Sequence, residues 1–328
     1  IFFFSDLPFD LVVNYLCSLK LEQVLCQKLK PELGSAGHIP SFEYVCFVYD
    51  RVSEGHLQPS SIHPKPRGFR IRRQQGSCLA FTTELIAGLR QHSLLPTYTH
   101  LLTGYCGDAS FLREIAKLAK ELKSVTTEFQ YVCDPVLGDE GVLYVPKDLI
   151  EIYRHEVLKV ADIITPNQFE VELLTGLELK DEKTALEALK LLHNMGPRTV
   201  VLTSLVLDPN AKTLKAYGSV KDETEVVTVE VPRLAGRFTG TGDVFAAVFL
   251  AHHSRYNGDM KKTLAKAMQT MERILSRTAA AAQIDKRNIP AIGLRELRIV
   301  ESIQDIVAFE NFPPALVDTI STNCTVGC

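Results

Sequence analysis

Long apolar runs are missing from this sequence, and so is an excess of positive charge. No stretch approaches the roughly 18 to 20 consecutive apolar residues that cross a bilayer, so we expect no membrane-spanning helix. The opening IFFFSDLPFD has no basic segment and is interrupted by Asp6 and Asp10, which argues against a secretory signal. With 36 basic and 39 acidic side chains, the formal net charge of −3 attracts neither nucleic acid nor anionic lipid. We therefore expect no nucleic acid and no membrane as partners, and small-molecule chemistry instead.

Several signatures of nucleotide-binding proteins are also missing. The sequence has no G-x-x-x-x-G-K-[ST], which excludes a P-loop, and the G-x-G at 240–242 lacks the third glycine of the dinucleotide fingerprint. The H-R-D and D-F-G signatures of protein kinases are absent as well. Any nucleotide site in this chain must therefore be built from other residues.

The eight cysteines are scattered, and several lie in apolar runs such as YVCFVYD and YVCDPV, where buried thiols are common. This usage indicates a reducing compartment, so we expect a cytoplasmic protein. Cys324 and Cys328 form a C-x3-C pair without a nearby histidine. We interpret this pair as part of a solvated tail, since two thiols alone are a weak metal signal.

Short β-branched runs alternate with amphipathic stretches from about residue 76 onward. Because parallel strands need crossover connections, the pattern predicts an α/β fold, with a mainly parallel central sheet and helices on both faces. After Ser204, LKAYGSV and EVVTVEVPRL alternate with period two, which predicts an antiparallel extension at the sheet edge. We expect an atypical, partly disordered segment over 1–75, one domain over 76–306 and a loose tail over 307–328.

The stretch GRFTGTGD precedes an uncharged run, VFAAVFLA, which predicts a helix. Gly236, Gly240 and Gly242 let the backbone turn tightly and point successive N–H groups outward, and the helix adds its positive end. This combination predicts an anion hole. Asp243 either caps the first turn or accepts the proton of a substrate hydroxyl beside a phosphoryl group.

Two further motifs place polar residues where a strand ends. In YVCDPVLGDEG, Asp134 and Asp139 fit either a turn or a Mg²⁺ site, because that ion prefers oxygen ligands. In ADIITPNQFEVELLTG, we expect Thr165 at the N-cap of a helix and Pro166 at its first position. Asn167 and Glu170 then share one face of the first turn, and Glu170 either points into the crevice or closes a capping box.

A third strand, in RTVVLTS, ends at Thr203 and Ser204, whose hydroxyls can meet phosphate or nucleotide. The carboxyl ends of parallel strands meet at one edge of a sheet, so these groups converge with Asp134, Asn167 and Asp243. A metal, an anion hole and a base at one place are the requirements of phosphoryl transfer.

Taken together and in order, six motifs resemble those of the pyridoxal kinase family within the ribokinase-like superfamily. The resemblance spans about residues 76–306. The motifs are LLTGY at 101–105, YVCDPVLGDEG at 131–141, YVP at 144–146, ADIITPNQFEVELLTG at 161–176, VLTS at 201–204 and FTGTGDVFAA at 238–247.

The resemblance implies a ribokinase-like fold and ATP-dependent phosphorylation of the 5′-hydroxyl of pyridoxal, pyridoxine or pyridoxamine by a cytosolic homodimer. It also implies a divalent cation, Mg²⁺ or Zn²⁺, and a monovalent cation, K⁺ or Na⁺. The implied roles are as follows: Asp243 as base and substrate contact, Gly240, Thr241 and Gly242 as anion hole, Tyr105 beside the pyridine ring, Asp134, Asn167, Thr203, Ser204, Leu234, Ala235, Gly236 and Thr241 at ATP, Asp134 and Asp139 at the divalent ion, and Thr165, Glu170 and Thr203 at the monovalent ion.

Residues 1–75 depart from this resemblance. Family members begin with segments of the patterns S-x-x-x-x-G-x-V-G-N and S-V-Q-F-S-N-H-T-G-Y, which supply vitamin contacts, and neither pattern occurs here. Loss of that first strand would expose an edge of the central sheet. Two alternatives therefore stay open: a truncated nucleotide-binding homologue without catalysis, and a hydroxymethylpyrimidine kinase.

Overall fold

The structure is a computed structural model, and the residues it describes form seven segments. These are residues 2–4, 47–48, 78–208, 210–234, 238–284, 296–307 and 317–321. The expectations for most of 1–75, and for Ala235 and Gly236, lie outside the described residues.

Eleven strands and eight α-helices are found in these segments. The strands are β1 Phe2–Phe4, β2 Phe47–Val48, β3 His100–Thr103, β4 Gln130–Cys133, β5 Gly138–Asp139, β6 Val142–Leu143, β7 Ile163–Ile164, β8 Thr199–Leu205, β9 Thr213–Val220, β10 Glu225–Pro232 and β11 Val317–Ser321. The helices are α1 Cys78–Gln91, α2 Ala109–Val125, α3 Asp148–Ile152, α4 Gln168–Thr175, α5 Glu182–Met195, α6 Thr241–Arg255, α7 Met260–Ile284 and α8 Ile303–Val307. A π-turn at Tyr153–Val157 continues α3, and short 3-10 turns lie at Leu95–Thr97 and Val300–Ser302.

Nine strands form one sheet in the order β11-β10-β9-β8-β7-β4-β3-β1-β2. Its centre, from β3 through β4 and β7 to β8, is parallel. Beyond β8 the strands β9 and β10 are antiparallel. The predicted parallel centre and the predicted antiparallel extension are therefore confirmed.

Alternate residues of the central strands enter two separate cores, which places helices on both faces. Leu101, Tyr131 and Ile164 pack in the core that contains α2 and α5. Their neighbours Leu102, Val132 and Ile163 pack in the core formed with α6 and α7. This is the side-chain alternation that a strand requires when both of its faces are covered. Within the described part of the chain, no helix combines the length and the apolarity needed to span a bilayer.

Two edges of the sheet differ from expectation. Val317–Ser321, inside the segment predicted to be a loose tail, pairs antiparallel with β10, so the prediction is wrong for these five residues. Val317 and Ile320 lie partly buried against opposite cores, which explains why a polar-looking segment forms a strand. At the other side, β1 pairs antiparallel with β3, so β3 is not left as an exposed edge.

Candidate active site

Backbone hydrogen bonds link the residues at the carboxyl ends of β3, β4 and β7 to their neighbours in the sheet. The N–H of Asp134 donates to the carbonyl of Thr103 over 2.8 Å, and the N–H of Thr165 donates to that of Cys133 over 3.2 Å. The N–H of Thr203 donates to the carbonyl of Pro166 over 3.0 Å. Side chains from four separate stretches therefore reach one edge of the sheet, as parallel topology requires.

Asp134 lies almost fully buried at this edge, with 3% of its surface exposed. Its Oδ1 accepts a hydrogen bond from the hydroxyl of Thr165 over 3.3 Å. Its Oδ2 is buried and has no hydrogen-bond partner. Burial raises the pKa of Asp134 well above its usual range, and the nearby carboxylates of Glu170 and Asp243 raise it further. An unpaired buried charge is energetically costly, so this carboxylate favours the binding of a cation or of a hydrogen-bond donor.

Glycines allow the carboxylates of Asp134 and Asp243 to approach neighbouring backbone. A Cβ added to Gly242 would lie 3.0 Å from Oδ2 of Asp134. A Cβ added to Gly104, just after β3, would lie 3.1 Å from Oδ1 of Asp243. The first turn of α6 therefore meets the ends of β3 and β4, and both carboxylates lie at that meeting point.

The glycine loop leads directly into α6, which begins at Thr241 rather than at the predicted Val244. Gly240 is the N-cap, with φ of 88° in the left-handed region that favours glycine, and it offers no side chain to cap the helix. The N–H groups of this turn are therefore available to an anion. Asp243 is accessible to solvent, although surrounding protein desolvates its carboxyl and raises its pKa.

A capping box heads α4, but its residues differ from our expectation. Asn167, not Thr165, is the N-cap: its side chain accepts from the N–H of Glu170, whose carboxylate accepts in return from the N–H of Asn167. Pro166 therefore precedes the helix. The capping-box alternative for Glu170 is confirmed.

Glu170 also fastens the loop that carries Asp134. One carboxylate oxygen accepts from the N–H of Leu137 over 3.0 Å, while the amide of Asn167 donates to the carbonyl of Gly138 over 2.9 Å. Burial raises the pKa of Glu170 to about 8 against the opposing effect of these backbone donors. The 134–138 loop is thus tied to the start of α4 through two side chains.

Thr203 and Ser204 do not end β8, because that strand continues to Leu205. The pairing of β8 with β9 shifts register between Leu202 and Leu205. Thr203 and Ser204 therefore lie in an irregular stretch, and irregularities of this kind change the direction in which side chains point. Thr203 Oγ1 donates to the carbonyl of Pro166 over 3.4 Å. Both residues are half-buried, which leaves them partly accessible at this edge.

Asp139 lies on the exposed β5–β6 hairpin, where it accepts from the N–H of Glu140 over 2.9 Å. Its charge contributes to the raised pKa of the buried Glu170. The hydroxyl of Tyr105 reaches the carbonyl of Tyr144, just after this hairpin, over 3.5 Å. In the segments that the structure describes, no three His, Cys, Asp or Glu side chains are grouped as a metal site.

Sequence reasoning did not single out Gly104. Gly104 occurs within LLTGY directly after a strand, which is a signal for close backbone approach. A Cβ on Gly138 would lie 2.2 Å from the carbonyl oxygen of Val142 across the hairpin. Leu234, expected at ATP, is half-buried after β10.

Comparison with known proteins places this chain in a family. A family model described as phosphomethylpyrimidine kinase matches residues 103–291. Pyridoxal kinase of Bos taurus is 41% identical over 238 residues, which cover 68% of this chain and 76% of the bovine protein. Pyridoxal kinase of Arabidopsis thaliana is 38% identical over 278 residues, which cover 84% of this chain and 86% of the plant protein. This chain belongs to the pyridoxal kinase family. It is therefore a kinase of the ribokinase-like superfamily.

Solved pyridoxal kinase structures agree with the fold. The enzyme from Leishmania donovani in complex with ADP and pyridoxine superposes with a TM-score of 0.65 at 32% identity, covering 74% of this chain and 81% of that one. The Arabidopsis match is longer than residues 76–328 alone, which make up about 77% of the chain. Some of the first 75 residues therefore align with a pyridoxal kinase.

Proposed function

We propose that this protein transfers the terminal phosphoryl group of ATP to the 5′-hydroxyl of pyridoxal, pyridoxine or pyridoxamine. The relatives that match it are named pyridoxal kinases. Similar solved structures are described as complexes with ADP and pyridoxine or with ADP and pyridoxamine. The same edge of the sheet in this chain offers the groups that such a transfer needs.

The observation that carries the proposal is the position of Asp243 at the first turn of α6, beside Gly104 and close to Asp134. In the proposed reaction, Asp243 accepts the proton of the substrate hydroxyl. Its raised pKa makes it a stronger base than an ordinary aspartate. The N–H groups of Gly240, Thr241 and Gly242 and the positive end of α6 stabilise the charge on the transferred group.

Cations fit the acidic cluster in this proposal. Asp134 has an unpartnered buried oxygen, and mutual repulsion with Glu170 and Asp243 contributes to its raised pKa. A bound cation would neutralise that repulsion and the phosphate charge. We assign Asp134 and Asp139 to a divalent cation, Mg²⁺ or Zn²⁺, and Thr165, Glu170 and Thr203 to a monovalent one, K⁺ or Na⁺.

Nucleotide and vitamin contacts complete the assignment. Asn167 and Glu170 position the Asp134 loop, and Tyr105 lies beside the hairpin that borders the site. We assign the following residues to ATP: Asp134, Asn167, Thr203, Ser204, Leu234, Ala235, Gly236 and Thr241. Tyr105 is assigned to the pyridine ring of the substrate.

Replacement of Asp243 by Asn tests the proposal. We expect turnover with ATP and pyridoxal to fall by at least about a hundredfold, because a general base is lost. ATP affinity, measured by calorimetry, should stay within a few fold. Asp181→Asn, a similar change at the exposed N-cap of α5, should leave turnover unchanged. Near-normal turnover by D243N would defeat the assignment of the base.

A second candidate is phosphorylation of hydroxymethylpyrimidine, which the description of the matching family model favours. A coupled assay that compares pyridoxal with hydroxymethylpyrimidine decides between the two substrates. ATP binding without ATP consumption on either substrate would instead favour a nucleotide-binding protein without catalysis. The cytosolic location and the homodimer that the family resemblance implies stay predictions.

A further inference from the structure

The first residue of α4, Gln168, makes a long-range contact at the edge of the sheet where the kinase site lies. Its side-chain oxygen Oε1 accepts a hydrogen bond from the N–H of Val206 over 3.1 Å, although the two residues are 38 positions apart. Val206 directly follows β8, which ends at Leu205. Gln168 is half-buried, so the contact is partly shielded from water. The start of α4 is thereby joined to the chain that leaves β8.

This contact continues a row of hydrogen bonds that strand β7 leaves unfinished. β7 has two residues and β8 has seven, so β8 extends beyond its parallel neighbour. Just after β7 ends, the N–H of Thr203 still donates to the carbonyl of Pro166 over 3.0 Å. Beyond that point the chain has turned into α4, and the N–H of Val206 donates to the side chain of Gln168 instead. The glutamine thus supplies an acceptor that the backbone of β7 does not reach far enough to offer.

Thr203 and Ser204, which we assign to ATP, lie between these two anchors. Their pairing with β9 is interrupted, because the register of β8 and β9 shifts between Leu202 and Leu205. The stretch is therefore fixed mainly from its other side, by the backbone contact at Thr203 and by the side-chain contact at Val206. Loss of the contact at Val206 would release the end of the stretch that follows Ser204.

Helix α4 contains a second contact of the same kind, which serves as an internal comparison. Oε1 of Glu172 accepts from the N–H of Leu179 over 2.9 Å. That contact holds the chain at 177–179, which follows α4 and carries none of the residues that we assign to substrate, nucleotide or cation. One helix therefore fastens two loops by side-chain acceptors, and only the loop held by Gln168 adjoins the ATP residues.

We propose that Gln168 is a positioning residue for the nucleotide: by accepting from Val206 it holds Thr203 and Ser204 in the arrangement that contacts ATP. This inference rests on the proposed function, and it adds a residue that acts through the backbone of β8. Ordering a released loop costs binding free energy, so loss of the contact weakens ATP binding. The transfer step itself depends on Asp243 of α6, a different element, and is left intact.

Gln168→Met tests this role, because it removes the acceptor and keeps a side chain of similar length. We expect the dissociation constant for ATP, measured by calorimetry on the full chain, to rise roughly fivefold, the size of one hydrogen bond. The KM for ATP should rise by the same factor, while kcat and the KM for pyridoxal stay unchanged. Glu172→Met is the matched control: it removes the contact with Leu179 and should leave ATP affinity unchanged.

Amide hydrogen exchange separates a released loop from a general loss of stability. Exchange at Val206 should become faster in Q168M and return to the native rate in Gln168→Glu, whose carboxylate can accept the same N–H. Native ATP affinity in Q168M, an equal loss of affinity in E172M, or unchanged exchange at Val206 would each overturn the role of Gln168 alone. Absence of ATP binding by the native protein would instead overturn the proposed function, and this inference with it.

Discussion

Among single residues, Asp134 combines near-complete burial with a carboxylate oxygen that has no hydrogen-bond partner. The Thr165 hydroxyl at 3.3 Å gives it only one weak donor. Its carboxyl also faces Glu170 and Asp243, so ionising it in the ligand-free protein costs free energy. Residues that are strained in this way without ligand are typical of sites that bind charge.

Asp134→Asn should therefore raise the stability of the ligand-free protein while it impairs the kinase. An amide N–H at the position of Oδ2 would face two acids instead of repelling them. We expect the midpoint of thermal unfolding at pH 8 to rise by several degrees and phosphoryl transfer to fall sharply. Differential scanning calorimetry with a turnover assay checks both, and a lower midpoint in D134N would contradict this account of the cluster.

Gly104→Ala tests how closely the backbone must approach Asp243. The new Cβ would lie 3.1 Å from Oδ1 of Asp243, so the carboxylate must shift by a few tenths of an ångström. We expect turnover to fall roughly tenfold, since general-base catalysis depends on reach to the proton. Gly88→Ala in α1 is the matched control, because a Cβ there meets nothing within 4 Å. Equal turnover in both variants would show that this contact does not matter.

At the scale of elements, helices α4 and α5 both begin with a capping box, but only the residues of the α4 box also hold the 134–138 loop. Both have a capping box, built on Asn167 in α4 and on Asp181 in α5. The box of α4 also holds the 134–138 loop through Leu137 and Gly138, while the box of α5 is exposed and remote from the carboxylates. The comparison separates the stability of a cap from its role in a site.

Asn167→Ala and Asp181→Ala should accordingly have similar costs in stability and different costs in function. Each loses an N-cap, which is worth about 1 kcal/mol. Only N167A releases the Asp134 loop and removes a side chain assigned to ATP, so only it should raise the KM for ATP, by several fold. Urea unfolding and steady-state kinetics measure the two effects. If D181A raised this KM as much as N167A does, the cap would have no specific role at the site.

Sequence periodicity predicted the long elements well, because each is set by its own residues. Helix α2, with Leu112, Ile115, Ala119 and Leu122 buried on one face, is one of the amphipathic stretches from which the α/β class was predicted. The antiparallel pair β9 and β10 was predicted from simple alternation. The start of α4 was predicted two residues too early, because Thr165 and Asn167 are both good N-caps and only contacts with the Asp134 loop distinguish them.

For the whole molecule, the acidic cluster predicts how stability depends on pH. The pKa of Glu170 is about 8 in the native state and near its ordinary 4.5 in the unfolded chain. The native state therefore binds more protons between these values, so stability falls as pH rises through this window. Burial lowers the pKa values of His252 and His253, and these affect stability only at lower pH, where unfolded histidine takes up protons.

We expect the ligand-free protein to lose about 1 kcal/mol of unfolding free energy between pH 7 and 8 through Glu170 alone. Asp134, with its pKa also raised, adds to this loss in the same direction. Urea unfolding at the two pH values measures it. Saturating Mg²⁺ and ATP should flatten the dependence, because a cation favours the ionised acids. A protein that gains stability from pH 7 to 8 without ligand would contradict the native-state protonation of this cluster.

The sequence by itself determined the α/β class, the antiparallel extension and the family, because these follow from local periodicity and from motifs whose order and spacing are written in the chain. It also indicated Asp134, Asn167, Glu170 and Asp243 as polar groups at strand and helix ends. The tertiary structure alone decided which of these face one another and which tail residues complete the sheet. The unpartnered oxygen of Asp134, the approach of Gly104 to Asp243 and the strand β11 all depend on residues far apart in sequence. Contacts of this kind have no local period, so only the packed fold fixes them.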